Sequence, residues 1–262
     1  MTVVVSASAH TLGVDEAEQT VLAGSGGAVL QAAGLCREYG TVIAVDGIDL
    51  SMNEGEFLTV FGPNGAGKST LLGMLAGAMR PTAGSVSVRG KPLLSSDTDW
   101  RHRIGMLSHK GFLYGRLTVE ENLRFYGKLF GLSDLDERIP ARLEQVGLTQ
   151  RIRFEARQLS HGMRQRLSLA RALLHDPDVV LLDEPYTGLD PSAASVLRDV
   201  LDELKDGRRT VVMVTHNLRE GLEMATRLAV QVAGRFAWEG DNQGLGRKDF
   251  ERHYHDVVEG RA

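Results

Sequence analysis

The sequence has little cysteine, no long apolar run and no excess of positive charge. Its single cysteine, Cys36, excludes an internal disulfide and a cysteine-rich metal site. No run of about 18 apolar residues is present, so no segment is expected to cross a bilayer. The formal net charge of −4 gives no electrostatic reason to expect nucleic acid as a partner. A chain of 262 residues has room for one substantial α/β domain, and any membrane attachment is expected to be made through another protein.

The first 27 residues contain no lysine or arginine, and the first such residue is Arg37. A secretory signal peptide begins with a positively charged region, so none is expected here. The segment ends in Gly-Ser-Gly-Gly at residues 24–27, a composition typical of a flexible linker. We therefore expect residues 1–27 to be a disordered N-terminal extension.

Residues 60–70 fit the phosphate-binding pattern G-x-x-x-x-G-K-[ST]. The apolar run at 57–61 predicts a buried strand before the loop, and residues 69–76 predict a helix after it. Glycines within the loop let successive backbone N–H groups turn toward phosphate oxygens. Lys68 is expected to reach the β- and γ-phosphates, and the Ser69 hydroxyl is expected to bind Mg²⁺. The loop therefore predicts a site for the phosphates of a nucleotide.

Two acids and a histidine follow further predicted strands. Asp183 and Glu184 end the apolar run at 179–182, and carboxylates in this position emerge at the sheet edge where α/β proteins bind ligands. Asp183 is expected to hold Mg²⁺, and Glu184 to orient or deprotonate the attacking water, although a solvated strand end is the alternative. His216 follows the run at 210–214 and either reaches the γ-phosphate from the same edge or is a structural histidine.

Several residues at turns and helix starts carry weaker signals. Tyr39 lies shortly before the phosphate loop and either stacks on a nucleotide base or is an ordinary turn residue. Ser160 and Gly162 open a predicted helix, where free N–H groups attract anions, although serine is also a common N-cap. Thr118, with Glu121 three residues later, predicts the N-cap of another helix.

The order of these motifs resembles that of the ATP-binding subunit of ATP-binding cassette (ABC) transporters over residues 28–239. Residues 62–70 are similar to the first Walker motif, residues 159–163 to the family signature, and residues 179–184 to the second Walker motif. The resemblance implies an α/β fold with a P-loop NTPase (RecA-like) core, an antiparallel β subdomain and an inserted α-helical subdomain.

The resemblance also implies domain boundaries. The ATP-binding domain would span residues 28–240, with its helical subdomain at about residues 110–175. A helical tail would follow at residues 241–262.

Roles for individual residues follow from the same resemblance. The residues that would bind ATP are Tyr39, Asn64, Gly65, Ala66, Gly67, Lys68, Ser69 and Thr70. Catalysis would be carried by Lys68, Glu184 and His216, and Mg²⁺ would be held by Ser69 and Asp183. Ser160 and Gly162 would contact ATP bound to an opposing subunit, and Asp190 would lie in a loop at the dimer contact. The implied assembly is a head-to-tail homodimer, or a pair with a related subunit, around two ATP molecules.

The chain departs from the family pattern at two places. His161 and Met163 replace the first glycine and the glutamine of Leu-Ser-Gly-Gly-Gln. A glutamine expected in the loop after residues 103–108 is absent, and His109 and Lys110 occupy this coupling loop, where a membrane subunit would dock. A cassette that binds ATP without hydrolysing it is therefore one alternative.

The implied function is an ATPase at the cytoplasmic face of the cell membrane that powers export through integral membrane subunits. Segments between residues 108 and 126 and at 162–171 resemble the haem-exporter ATPase of cytochrome c maturation, and drug or antibiotic exporters share much of this pattern. A soluble cassette acting on ribosomes or DNA is the alternative from another class. Such proteins usually pair two cassettes or carry a coiled coil, whereas this sequence has one phosphate loop and no sustained heptads.

Overall fold

The computed structural model describes residues 27–93, 98–108, 111–205, 207–242 and 244–261. Except for Gly27, the predicted extension at residues 1–27 lies outside the described residues, and so do His109 and Lys110. The strands in these ranges are β1 (Leu30–Tyr39), β2 (Val42–Met52), β3 (Phe57–Phe61), β4 (Ala83–Val88), β5 (Lys91–Pro92), β6 (Ile104–Leu107), β7 (Val179–Asp183), β8 (Thr210–Thr215), β9 (Arg227–Val232) and β10 (Arg235–Asp241).

Four of these strands form an antiparallel sheet in the order β2-β1-β4-β5. Strands β1 and β2 pair from Leu30 opposite Met52 to Tyr39 opposite Val42, with irregularities in between. Buried apolar residues of β1 and β2 pack toward the protein core, while Val42 and Ile43 at the tip are exposed. This sheet confirms the predicted antiparallel β part of the fold.

The other six strands form a sheet in the order β10-β9-β3-β8-β7-β6. Its strands are parallel except for β10, which pairs antiparallel with β9. Every residue of β3, β7 and β8 is buried, as continuous apolar runs predict for strands covered on both faces. Phe61 pairs with Thr215 and Asp183 pairs with Val214, so the carboxyl ends of these three strands lie side by side.

The α-helices of the described ranges are α1 (Lys68–Leu75), α2 (Val119–Leu129), α3 (Leu135–Gln145), α4 (His161–Leu173), α5 (Pro191–Glu203), α6 (Leu218–Met224) and α7 (Arg247–Val258). The predicted cap of α2 is confirmed: Thr118 Oγ1 accepts from the Glu121 backbone N–H at 3.1 Å, and the Glu121 carboxylate accepts from the Thr118 N–H at 2.8 Å. This capping box satisfies two of the N–H groups that a helix start otherwise leaves unpaired.

Apolar clusters on both faces of the six-stranded sheet hold the sheet edge in place. Leucines of α2, α3, α4 and α5 pack on one face, and α1 with the antiparallel sheet packs on the other. A third cluster joins Phe61, Val230 and Phe250 beneath α6 and α7. Each fully buried leucine or phenylalanine contributes about 1.5–3 kcal/mol, so the strand ends are set in a rigid frame.

No local pattern predicts an element at residues 218–241, where the structure has α6, β9 and β10. Helix α6 has only seven residues, too few to show a clear period. Strand β10 is an edge strand whose residues alternate between exposed and half-buried. Both elements depend on packing against the rest of the sheet.

Within the described ranges, no helix combines the length and the apolar character needed to cross a membrane.

Candidate functional site

The phosphate loop lies between the end of β3 and the start of α1, as the sequence predicts. Its lysine turns back over the loop: Lys68 Nζ donates to the carbonyl oxygens of Gly62 at 2.7 Å and Pro63 at 3.0 Å. Gly67 adopts a φ of 97°, and a methyl group on it would lie 1.9 Å from the Ala44 carbonyl oxygen. Only glycine fits this position, so the loop can approach β2 closely enough to curl around an anion.

Lys68 is buried, with only 7% of its surface exposed. Burial lowers the pKa of its ammonium group, while the charges of Glu184 and Asp183 raise it. An ammonium group that has lost most of its water gains strongly from a nearby anion. The position therefore suits a phosphate.

Ser69 and Asp183 are 114 positions apart in the sequence, and the fold brings them together. Ser69 Oγ donates to Asp183 Oδ1 at 3.0 Å, which joins the start of α1 to the end of β7. In the described residues, no cluster of three or more His, Cys, Asp or Glu side chains can hold a metal. A hydroxyl and one carboxylate fit Mg²⁺ when phosphate oxygens and water supply its remaining ligands.

Glu184 and His216 also meet, at the ends of β7 and β8. His216 Nδ1 lies 2.8 Å from Glu184 Oε1, and Thr215 Oγ1 donates to Glu184 Oε2 at 3.0 Å. Glu184 has a left-handed φ of 48°, a strained conformation for a residue with a side chain, and its N–H donates to the Val214 carbonyl at 2.9 Å. These contacts hold the carboxylate at the sheet edge, close enough for its charge to act on Lys68 of the phosphate loop.

The signature residues begin α4. Ser160 is the N-cap, and its hydroxyl accepts from the Met163 N–H at 3.2 Å. Gly162 is packed so closely that a methyl group on it would lie 2.7 Å from Ala193 Cβ. Within the described part of the chain, no hydrogen bond joins Ser160 to the phosphate loop. Its side chain remains at the protein surface.

Asp190 caps α5, with its carboxylate accepting from the Ala193 N–H at 2.9 Å. The loop before it contacts the signature, since His161 Nε2 lies 3.1 Å from the Thr187 carbonyl oxygen. A carbonyl only accepts, so this ring nitrogen carries the hydrogen. The histidine that departs from the family pattern thus ties α4 to the loop that leads to Asp190.

The tyrosine of the β1–β2 hairpin is half-exposed. Tyr39 donates its hydroxyl to Met79 Sδ at 2.9 Å, and the Arg37 guanidinium lies 4.6 Å from the centre of its ring. Stacking on a base by this ring stays a prediction.

The other loop residues differ in exposure: Asn64 and Gly65 are exposed, Ala66 is buried and Thr70 is half-buried. The predicted coupling residues His109 and Lys110 lie outside the described residues. Thr215 is a further residue of the site that is not among the sequence-predicted ones, and its place directly before His216 at a strand end is the signal that points to it. Gln231 has no such signal, because its position beside the loop depends on β9.

A family model described as "ABC transporter" matches residues 45–187. The chain is 39% identical over 215 residues to the Nod factor export ATP-binding protein I of Cupriavidus metallidurans, covering 81% of this chain and 71% of the relative. It is 38% identical over 220 residues to the protein of the same name from Cupriavidus pinatubonensis, covering 83% and 68%. Neither is named as a haem exporter, so the finer resemblance to that group gains no support from them.

Two solved structures share the fold. The ATP-binding subunit of an ABC transporter has a TM-score of 0.79 and 26% identity, over 88% of this chain and 99% of its own. A dimeric ATP-binding cassette in a post-hydrolysis state with ADP and Pi has a TM-score of 0.74 and 26% identity, over 82% and 100%. With the family model spanning more than half of the 262 residues, the chain belongs to the ABC transporter family and is an ABC ATPase.

Proposed function

We propose that this chain is the ATP-hydrolysing subunit of an ABC exporter for a small molecule, acting as a dimer beneath separate membrane subunits. The observation that carries the proposal is the meeting of two pairs at one sheet edge. Ser69 with Asp183, and Glu184 with His216, lie at the carboxyl ends of adjacent strands beside Lys68. These groups must lie within one site if it is to bind a triphosphate, hold a metal ion and activate a water molecule.

The proposed binding step uses the phosphate loop. Its free N–H groups and the start of α1 surround the phosphates, and Lys68 exchanges its loop carbonyl partners for phosphate oxygens. Ser69 and Asp183 would hold Mg²⁺, which when bound neutralises charge on the phosphate oxygens. Tyr39 offers its ring to the base.

The proposed hydrolytic step uses Glu184. Thr215 and His216 fix both oxygens of its carboxylate, so the group is oriented before a water molecule arrives. In the proposed step Glu184 takes a proton from the water as the water attacks the γ-phosphorus. The bond between that phosphorus and the bridging oxygen breaks, so ADP leaves and inorganic phosphate is the second product, and His216 would contact the phosphate oxygens. Fixing a base in this way reduces the reorganisation that the reaction requires.

Dimerisation supplies the remaining contacts. Ser160 and Gly162 stand at the start of a 13-residue helix, where free N–H groups and the helix dipole favour an anion. We propose that they contact ATP held by a second copy or a related subunit, with Asp190 in the loop between the two. Each ATP then lies between two chains and holds them together, and hydrolysis weakens this dimer contact.

An exposed aromatic surface favours the proposal that a membrane subunit docks on this chain. Phe112, Tyr114 and Phe125 are each more than 40% exposed, and the last two pack edge to face at 5.0 Å. Arg171 of α4 lies beside Phe112, with its guanidinium 5.7 Å from the centre of that ring and its Nη2 donating to the Met106 carbonyl at 2.6 Å. We propose that a membrane subunit docks here and on His109 and Lys110. Arg171 would link that contact to the signature helix.

The cargo is proposed from the relatives, whose names specify Nod factor export. A small-molecule export system is compatible with these names, and haem remains one candidate cargo on the sequence resemblance alone. In this proposal the subunit sits at the cytoplasmic face of the membrane and has no nucleic-acid partner.

Co-purification from the native cell tests this function. We expect an integral membrane protein to accompany the tagged chain, and the Lys68→Ala variant to lose binding of MgATP. Retention on ribosomes or DNA at moderate salt, with no membrane protein, would instead favour the soluble alternative.

A further inference from the structure

Gln231 lies beneath the phosphate loop with its whole side chain buried. Side chains alternate along β9: Val230 joins the cluster under α7, and Ala229 joins the cluster that contains Leu71 of α1. Gln231 therefore points to the same side as Ala229, toward α1. Among the described residues, neither its amide nitrogen nor its amide oxygen has a hydrogen-bond partner.

A buried carboxamide without partners destabilises a fold, because both groups have given up their bonds to water. An apolar side chain of similar size would avoid this penalty. Buried polar groups in proteins are nearly always paired, and an exception calls for a physical explanation. A contact made only in another state of the molecule is one such explanation.

The neighbours of Gln231 identify that contact. A methyl group on Gly67 would lie 3.0 Å from Gln231 Nε2, and one on Gly62 would lie 2.2 Å from the Gln231 carbonyl oxygen. The turn after β9 already holds the loop, since the Gly234 N–H donates to the Ala66 carbonyl at 3.1 Å. The unpaired amide is therefore directed at a loop that must adapt to its ligand.

We propose that Gln231 is a positioning residue for the phosphate loop. When phosphates occupy the loop, the carboxamide pairs with loop backbone at Gly67 and stabilises the nucleotide-bound conformation. Gln231 touches no nucleotide atom and acts through the loop. The inference rests on the proposed function, because it requires this loop to bind ATP.

The test compares Gln231→Met with Thr59→Val in the full chain. Methionine keeps the length of glutamine and removes its polar atoms. Thr59 is a buried polar residue on the adjacent strand β3, but its hydroxyl is paired with the Gly221 carbonyl at 3.1 Å. Thermal unfolding without nucleotide, calorimetric binding of MgADP and steady-state hydrolysis of ATP are measured for each variant.

We expect Gln231→Met to raise Tm and yet to weaken MgADP binding about three- to tenfold, up to about 1.4 kcal/mol. KM for ATP should rise by a similar factor, with kcat changed less than twofold. Thr59→Val should lower Tm and leave MgADP binding unchanged. A purely structural role for Gln231 cannot produce a more stable protein with weaker binding.

Unchanged MgADP binding in folded Gln231→Met would overturn the inference while leaving the proposed function intact. A fall in Tm like that of Thr59→Val would overturn it too, because the amide would then be paired without nucleotide. Failure of both Gln231→Met and Gln231→Leu to fold would have the same meaning. Failure of the unmodified protein to bind MgADP would instead refute the proposed function.

Discussion

Replacement of Glu184 by glutamine tests the proposed chemistry most directly. The change removes the negative charge and the basic oxygen while keeping the shape of the side chain. The amide oxygen can still accept from Thr215 Oγ1, now at 3.0 Å from Glu184 Oε2, and the amide nitrogen stays beside His216 Nδ1, now at 2.8 Å from Oε1. The strand end should therefore keep its structure.

The expected loss in turnover follows from the role of the base. General base catalysis contributes about 10²–10⁴ in rate, so kcat should fall by that factor, or by about 3–5 kcal/mol in activation free energy. Binding should persist because the contacts of Lys68 and the Ser69–Asp183 pair are untouched. ATP-bound dimers should then accumulate.

The assay has two readouts, phosphate release and size-exclusion chromatography with MgATP. Glu223→Gln is a matched control, since it makes the same charge change on α6 at a carboxylate that pairs with Arg219 at 3.3 Å. We expect the control to turn over ATP normally and Glu184→Gln to elute as a dimer.

Unchanged turnover in Glu184→Gln would refute the assignment of the base. Rapid hydrolysis by a demonstrably monomeric preparation would refute the wider reasoning, in which Ser160 completes the site of a second chain.

Three further predictions concern stability. Lys68→Met should abolish MgATP binding. Burial lowers the Lys68 pKa in the folded state, so the stability of the unmodified protein should rise as pH increases toward 10.5, and Lys68→Met should remove that part of the pH dependence of Tm. Burial lowers the pKa of His175 to about 4, so the unfolded chain binds a proton more readily and stability should fall as pH drops from 6.5 to about 4, by at most about 1.4 kcal/mol per pH unit. His175→Phe should reduce that slope in urea unfolding. Thr118→Ala should lower the free energy of unfolding by about 1 kcal/mol through loss of the α2 cap.

Each of these has a clear contrary result. If Lys68→Met still bound MgATP, Lys68 would not be part of the ATP-binding site. If the free energy of unfolding of His175→Phe fell with pH as steeply as that of the unmodified protein, other groups would be responsible for the acid sensitivity. Full stability in Thr118→Ala would mean that packing alone holds the start of α2.

The sequence predicted the elements whose patterns are local. The phosphate loop stands between a buried strand and a helix, and the apolar runs at 179–182 and 210–214 became β7 and β8. The capping box formed by Thr118 and Glu121 needs only two residues three positions apart, and the structure confirms it. Elements without such a pattern, β9, β10 and α6, were not predicted.

The sequence by itself determined the family, the order of the motifs and the candidate residues, because these depend on residue types at short, fixed spacings. Only the tertiary structure decided which candidates touch. Ser69 and Asp183 are 114 positions apart, yet they form a hydrogen bond because parallel pairing aligns the ends of β3, β8 and β7 at one edge. The tertiary structure likewise decides that the side-chain amide of Gln231 is buried and unpaired. Partners and burial are properties of the packed chain, and no short stretch of sequence contains them.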